Sequence, residues 1–191
     1  MKTKKWIYAI MLAPLVWMAC NNDDNDNAGK KSLNNTDQVF VENAATSNMA
    51  EIEIGKVAVT KATDSLVRSF AQKMIDDHTQ AQNELQGIAN DFNGVDWPTD
   101  MGQSNTSVKA QLDSADSGYS FDTLYLGTQI RMHQNAKTTY QTATTTTTET
   151  RVRTYASKYL PYIQEHLDEA DSLKTQLMSN DSTSNTTADG N

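Results

Sequence analysis

The chain predicts an all-α protein built from four long amphipathic helices. Three observations carry this expectation. Apolar residues recur at intervals of three and four through four long segments. No stretch keeps up the alternation of a half-buried strand. Turn-forming residues divide the four segments into two pairs with a longer interruption between them.

The first helix, residues 36–62, opens at Thr36 as its N-cap and carries Phe40, Ala44, Ile54, Ala58 and Ala62 along one stripe. Asp64 and Ser65 reverse the chain. The second helix, residues 65–92, presents Val67, Phe70, Ala71, Met74, Ala81, Leu85, Ile88 and Phe92, and Asn93-Gly94 ends it. Together they form an antiparallel hairpin. Residues 93–119 change character, with Gly94, Pro98, Gly102 and Gly118 bracketing one short helical candidate at 104–115.

The third helix, residues 121–146, presents Phe121, Tyr125, Met132, Ala136, Tyr140 and Ala143. Nine threonines lie between positions 138 and 150. Their β-branched side chains are poor in helices, so fraying and a loop at 147–149 are expected. The fourth helix, residues 150–178, carries Val152, Tyr155, Tyr159, Ile163, Leu167, Ala170, Leu173 and Leu177. Pro161 inside it removes the hydrogen bond to the Ser157 carbonyl and predicts a kink. Two hairpins joined by a long connection between helices two and three describe a ferritin-like four-helix bundle. No internal repeat is evident.

The flanks read differently. Residues 1–19 have a basic start (Lys2, Lys4, Lys5) and an apolar run from Trp6 to Ala19 that is short for a membrane span, the pattern of an export signal. The only cysteine, Cys20, follows Ala19 and resembles the acylated cysteine of a bacterial lipoprotein, although Trp17 stands where such signals favour leucine. An ordinary cleaved signal with an incidental cysteine is the alternative. Lipidation at Cys20 would anchor the chain to the membrane without spanning it. Residues 20–35 read as an acidic flexible tether. An acidic cluster just behind an acylated cysteine also resembles a signal for display on the cell surface; a plain spacer explains it equally. These features place the protein in a bacterial cell envelope, as an outer-membrane lipoprotein facing the periplasm or the cell surface. Residues 36–178 form the bundle domain, and 179–191 a disordered tail.

Removing residues 1–19 leaves 13 basic against 24 acidic side chains, a net charge of −11. Such a chain lacks the cations that neutralise phosphates, so nucleic acid is excluded as a partner. One cysteine excludes a disulfide scaffold. No glycine-rich phosphate loop or nucleophile elbow is present, and no catalytic residue set emerges.

Polar groups that interrupt apolar stripes are the informative ones, because burying them is costly unless something pairs with them. At 100° per residue Glu51 falls within about 20° of Phe40, Ala44 and Ala58, whereas Glu53 points away. His78 lies squarely on the second stripe, His166 on the fourth, and His133 on the flank of the third. All four sit near the midpoints of different helices, so they share a level whichever way neighbouring helices run. One carboxylate and three neutral imidazoles suit a single transition-metal ion: zinc, iron, copper or manganese. A hydrogen-bonded polar network is the alternative, and no cofactor is certain. Asp77, beside His78, is a candidate for orienting a ligand from behind. Aspartate followed by serine or threonine at 64–65, 113–114, 122–123, 171–172 and 181–182 resembles an O-glycosylation signal of exported bacterial proteins, or marks helix caps.

Several segments also resemble the ferritin-like exported proteins grouped as domain-of-unknown-function family 4142. They are Glu51 to Lys56, Ser69 to Thr79 with Asn83-Glu84-Leu85, Phe121 to Leu126 leading to His133, and Tyr159-Leu160-Pro161 leading to His166-Leu167. The resemblance covers about residues 36–175 and implies a four-helix fold and export, with no established activity. Di-iron ferritins use Glu-x-x-His on two helices, but Ile75, Ile130 and Ile163 stand three before the histidines here. Two function classes follow: a non-enzymatic, envelope-anchored module for binding or structure, and a mononuclear metal protein with a redox, metal-buffering or stress role.

Overall fold

The computed structural model describes residues 29–188. The signal segment, Cys20, most of the expected tether and the last three residues lie outside them. Five α-helices make up the described chain: α1 (Asn35–Lys61), α2 (Ser65–Ala89), α3 (Gly102–Ser114), α4 (Tyr119–Thr146) and α5 (Thr150–Ala188). No helix among the described residues is long and apolar enough to cross a membrane.

Local chemistry sets the boundaries. Asn34, not Thr36, caps α1: its side-chain oxygen accepts from the Asp37 amide, satisfying one of the donors that a helix start leaves open. Asp64 does the same for α2 through Leu66 and Val67. α2 ends at Ala89, earlier than its stripe suggests, because the turn that follows pairs with the incoming chain: the Asn93 amide donates to the Lys31 carbonyl. Leu33 is buried there, so the last residues of the expected tether are docked on the domain. α3 and its flanking segments fill the long connection, and α3 packs on α1.

The threonine-rich end of α4 stays helical through Thr146, with the loop at 147–149 as expected. Thr138, Thr139, Thr142 and Thr146 each donate a hydroxyl to the carbonyl one turn back, so these hydroxyls are satisfied within the helix rather than competing for its backbone amides. α5 runs through Pro161 as one element. It continues to Ala188, past the expected end at 178, since neither glycine nor proline stands between Pro161 and Gly190 to stop it. That helical backbone occupies most of the segment read as a disordered tail.

α1 packs along α2, and α4 along α5; α1 against α4 and α2 against α5 close the ring. The core inside the ring is split in two. One apolar cluster holds Phe40, Val41, Leu85, Tyr140, Val152 and Tyr155, and the other Ile54, Ala58, Phe70, Met74, Tyr125 and Leu126. Between them α1, α2, α4 and α5 place a layer of buried polar side chains: Asn48, Glu51, His78, Gln129, His133 and His166.

The two hairpins repeat one another, contrary to the sequence expectation. Adding 85 to a residue number in the first lands on its counterpart in the second, and the ties between them come in matched pairs. Asp37 accepts from the backbone amides of Thr148 and Glu149, and Asp122 from those of Thr63 and Asp64. Within each hairpin the same local contact recurs: Arg68 donates to the Ala62 carbonyl at 2.8 Å, and Arg153 to that of Thr147 at 2.9 Å. Lys73 pairs with Glu169, and Lys158 with Glu84. Phe40 meets Tyr155 at 6.4 Å between ring centres, and Tyr125 meets Phe70 at 6.3 Å. Reciprocal contacts of this kind define an approximate two-fold relation. It is hidden in the sequence because few positions besides these ties keep the same residue, while the apolar positions interchange freely.

Candidate metal centre

The three histidines break that two-fold relation. Their counterparts are Ile163 for His78, Asn48 for His133 and Ala81 for His166, so the polar layer carries one asymmetric site. The rings form a nearly equilateral triangle, with centroids 5.7 Å (His78–His133), 5.6 Å (His78–His166) and 5.3 Å (His133–His166) apart. One ligand-capable nitrogen from each ring lies within 4.8 Å of the other two. His133, on the flank of its stripe by periodicity, is as buried as His166; their exposures are 1% and 2%.

Each ring is held by one nitrogen. His78 Nδ1 stands 3.0 Å from Asn48 Oδ1, His133 Nδ1 3.0 Å from the Gln129 carbonyl, and His166 Nε2 2.9 Å from Asp77 Oδ2. A carbonyl and a carboxylate can only accept, so the contacting nitrogens of His133 and His166 carry the protons. Asn48 also donates from Nδ2 to Tyr155 Oη, which leaves its Oδ1 to accept from His78. The remaining nitrogens, His78 Nε2, His133 Nε2 and His166 Nδ1, are buried and have no protein hydrogen-bond partner. Those are the nitrogens that bear lone pairs.

Electrostatics favours the neutral form of the His78 and His166 rings. Burial, reinforced by the neighbouring His133 and His166, pushes His78 well below the usual imidazole range. Burial and His133 take His166 down to about 4, against the opposing pull of Asp77. Neutral imidazoles are the protonation state that a metal requires.

The fourth predicted residue stands apart. Glu51 is buried on α1, where Gln129 Nε2 donates to its Oε2 at 2.8 Å and its Oε1 lies 3.7 Å from His133 Nδ1. It therefore faces the held side of His133, opposite Nε2, and is not one of the three clustered ligand groups. Burial raises its pKa above the ordinary carboxylate value. Asp77 does orient a ring from behind, but across the interface to α5 rather than on its own helix. Asn48 and Gln129, which hydrogen-bond His78 and Glu51, are members of the polar layer that stripe reading passed over. Their signal was present: Gln129 lies one turn before His133 on the same face, and Asn48 three before Glu51.

A cavity of about 20 Å³, room for about one water, is lined by His78 and His166 together with Tyr140, Tyr159, Tyr162 and Gln80. Tyr162, at 45% exposure, stands at the surface.

Residues 23–173 match the protein family described as domain of unknown function DUF4142. No curated protein matches the chain. Among solved structures, a DUF305 fragment from Deinococcus radiodurans superposes with a TM-score of 0.67 at 11% identity, covering 76% of this chain and 99% of that one. A DUF305 protein from Streptomyces coelicolor, provisionally described as secreted, gives 0.62 at 13% identity, covering 74% and 93%. At such identities the likeness is one of helical fold.

Proposed function

The chain belongs to the DUF4142 family, whose activity is not established, and from that premise we propose that it is an exported helical protein that binds one transition-metal ion through His78, His133 and His166. One observation carries the reading: three clustered histidine rings, each held by one nitrogen, keep their other nitrogen buried with no protein partner. Leaving a buried acceptor unpaired costs about 1–3 kcal/mol. Metal-ligating histidines characteristically present this pattern, with an oxygen behind each ring fixing tautomer and orientation. A tetrahedral ion with bonds of about 2.0–2.1 Å sets its nitrogens about 3.4 Å apart. Small rotations of the rings would bring their ligand nitrogens, now within 4.8 Å of one another, to that spacing. Three imidazoles and no carboxylate favour zinc, copper or iron over manganese, which prefers oxygen.

The ring of four long helices, with α3 in the connection, supports a ferritin-like four-helix bundle. The signal-like start supports export, and a secreted description of one structural relative agrees with it. Cys20 would carry the lipid anchor to the envelope, with membrane as partner through the lipid. Cys20→Ser should release the protein from membranes; equal membrane association of both forms would defeat anchoring.

The metal reading is tested by elemental analysis of untagged protein, with thermal unfolding in zinc, copper, iron or chelator. One equivalent of metal and a higher Tm are expected, since an ion at a hundred times its Kd stabilises by about 2.7 kcal/mol. His78→Ala and His166→Ala should abolish the metal-dependent part. A Tm indifferent to all three metals and to chelator would instead leave a polar network in a purely structural module.

A further inference from the structure

We propose that the ion held by His78, His133 and His166 exchanges a small anion from solution at a further coordination position, reached through the tyrosine-lined pocket. This rests on the metal reading above. Three nitrogens are the whole of the clustered donor set: among the described residues no fourth histidine, cysteine or carboxylate joins them. Glu51 faces the other side of His133 and is held by Gln129, and Asp77 is engaged by His166. Structural metal sites close with four protein ligands, whereas sites with three keep a position for water or substrate.

Charge selects the class of ligand. Three neutral imidazoles bring no negative charge to the ion itself, and the carboxylates of Asp77 and Glu51 stand one ring away, behind His166 and His133, in a core whose adjoining layers are apolar. Uncompensated buried charge is costly, so an anionic ligand is favoured over a neutral one. Size and access narrow it further. The cavity beside His78 and His166 has about 20 Å³. Its inner end therefore admits a group of about one water's size. Its lining includes Tyr140, Tyr159, Tyr162 and Gln80, with the Tyr159 hydroxyl already donated to Glu84. Apart from Asp77, whose carboxylate already holds His166, no charged side chain lines it. A slender anion of two or three atoms, or hydroxide, fits this description; a sugar, a nucleotide or a peptide does not.

The test uses the full chain, untagged, loaded with cobalt(II), whose visible absorption reports coordination directly, and titrated with azide. Four-coordinate bands that shift saturably with azide are expected. His78→Ala should lose both the bands and the shift. Tyr162→Ala should leave cobalt uptake unchanged while azide binds faster, and Tyr162→Trp should slow it. Cobalt bands that ignore azide would overturn the anion position and leave the metal site standing. Failure of cobalt and zinc to bind at all would remove the metal reading and this inference with it. An azide response that persists in His78→Ala would place the anion at adventitious cobalt elsewhere, which also overturns the proposal.

Discussion

His166 Nε2 donates to Asp77 across the α2–α5 interface, while its Nδ1 has no protein partner. Replacing that carboxylate by an amide changes the ring's support without removing a ligand. Asp77→Asn should weaken metal binding about 10–100-fold. Its Tm without metal should stay close to the parent's, and a metal titration with unchanged affinity would contradict the role. The same burial that prepares the site makes the metal-free protein acid-sensitive. His78 is held well below its ordinary value and His166 at about 4, whereas unfolded histidines titrate near 6.5. Unfolding therefore takes up protons below about pH 6.5, so the stability present above that value drains away as pH falls toward 4. Glu51 acts with the opposite sign: its raised pKa favours the folded state on the acid side and withdraws that contribution as pH rises through it. Two histidines against one carboxylate set the net direction. Denaturation in chelator from pH 8 to 4 checks it, and a flat profile would contradict it.

At the scale of elements, two helical glycines make opposite predictions from the same substitution. A Cβ on Gly55 would meet Ile75 Cγ1 at 2.8 Å and the Ala71 carbonyl oxygen at 3.1 Å, because α1 and α2 approach closely there. Alanine is the better helix former by about 1 kcal/mol. Overpacking a close contact costs about 1–3 kcal/mol, and backbone cannot swing aside. Gly55→Ala should therefore lower Tm. Nothing lies within 4 Å of the corresponding position on Gly87, so Gly87→Ala should raise stability by about 1 kcal/mol. Equal effects of the two substitutions in urea unfolding would show that the close approach does not govern this pair.

For the whole molecule, the reciprocal ties between hairpins matter more than any one helix. Asp37 and Asp122, each 1% exposed, accept hydrogen bonds from the loop of the opposite hairpin. Alanine at either position strands two backbone amides. The cost should be on the order of 3 kcal/mol for each. The two sites lie at opposite ends and share no partner, so their effects should add. Similar losses in the single variants, additive in the double, are expected from chemical denaturation. A negligible loss at one end would show that the pseudo-symmetry is geometric and not energetic.

Amphipathic periodicity by itself determined the helical class and the burial of His78, His133 and His166, while turn chemistry marked Asp64 and the threonine run marked the loop at 147–149. Burial of an apolar stripe is a local demand, legible wherever the spacing repeats. The midpoint rule also placed Glu51 on the same level, because helix length is written in the chain. What it could not decide was direction around a ring. Whether a carboxylate reaches the cluster or stands behind His133 depends on helix rotation and on Gln129, which only the packed structure supplies. The cross-helix pairing of Asp77 with His166, and of Asn48 with His78, likewise joins residues far apart in sequence. The internal two-fold is the clearest case. It resides in contacts between hairpins, and a contact constrains a pair of residues jointly while leaving each free to vary, so its trace in a single chain is faint until the partners are seen together.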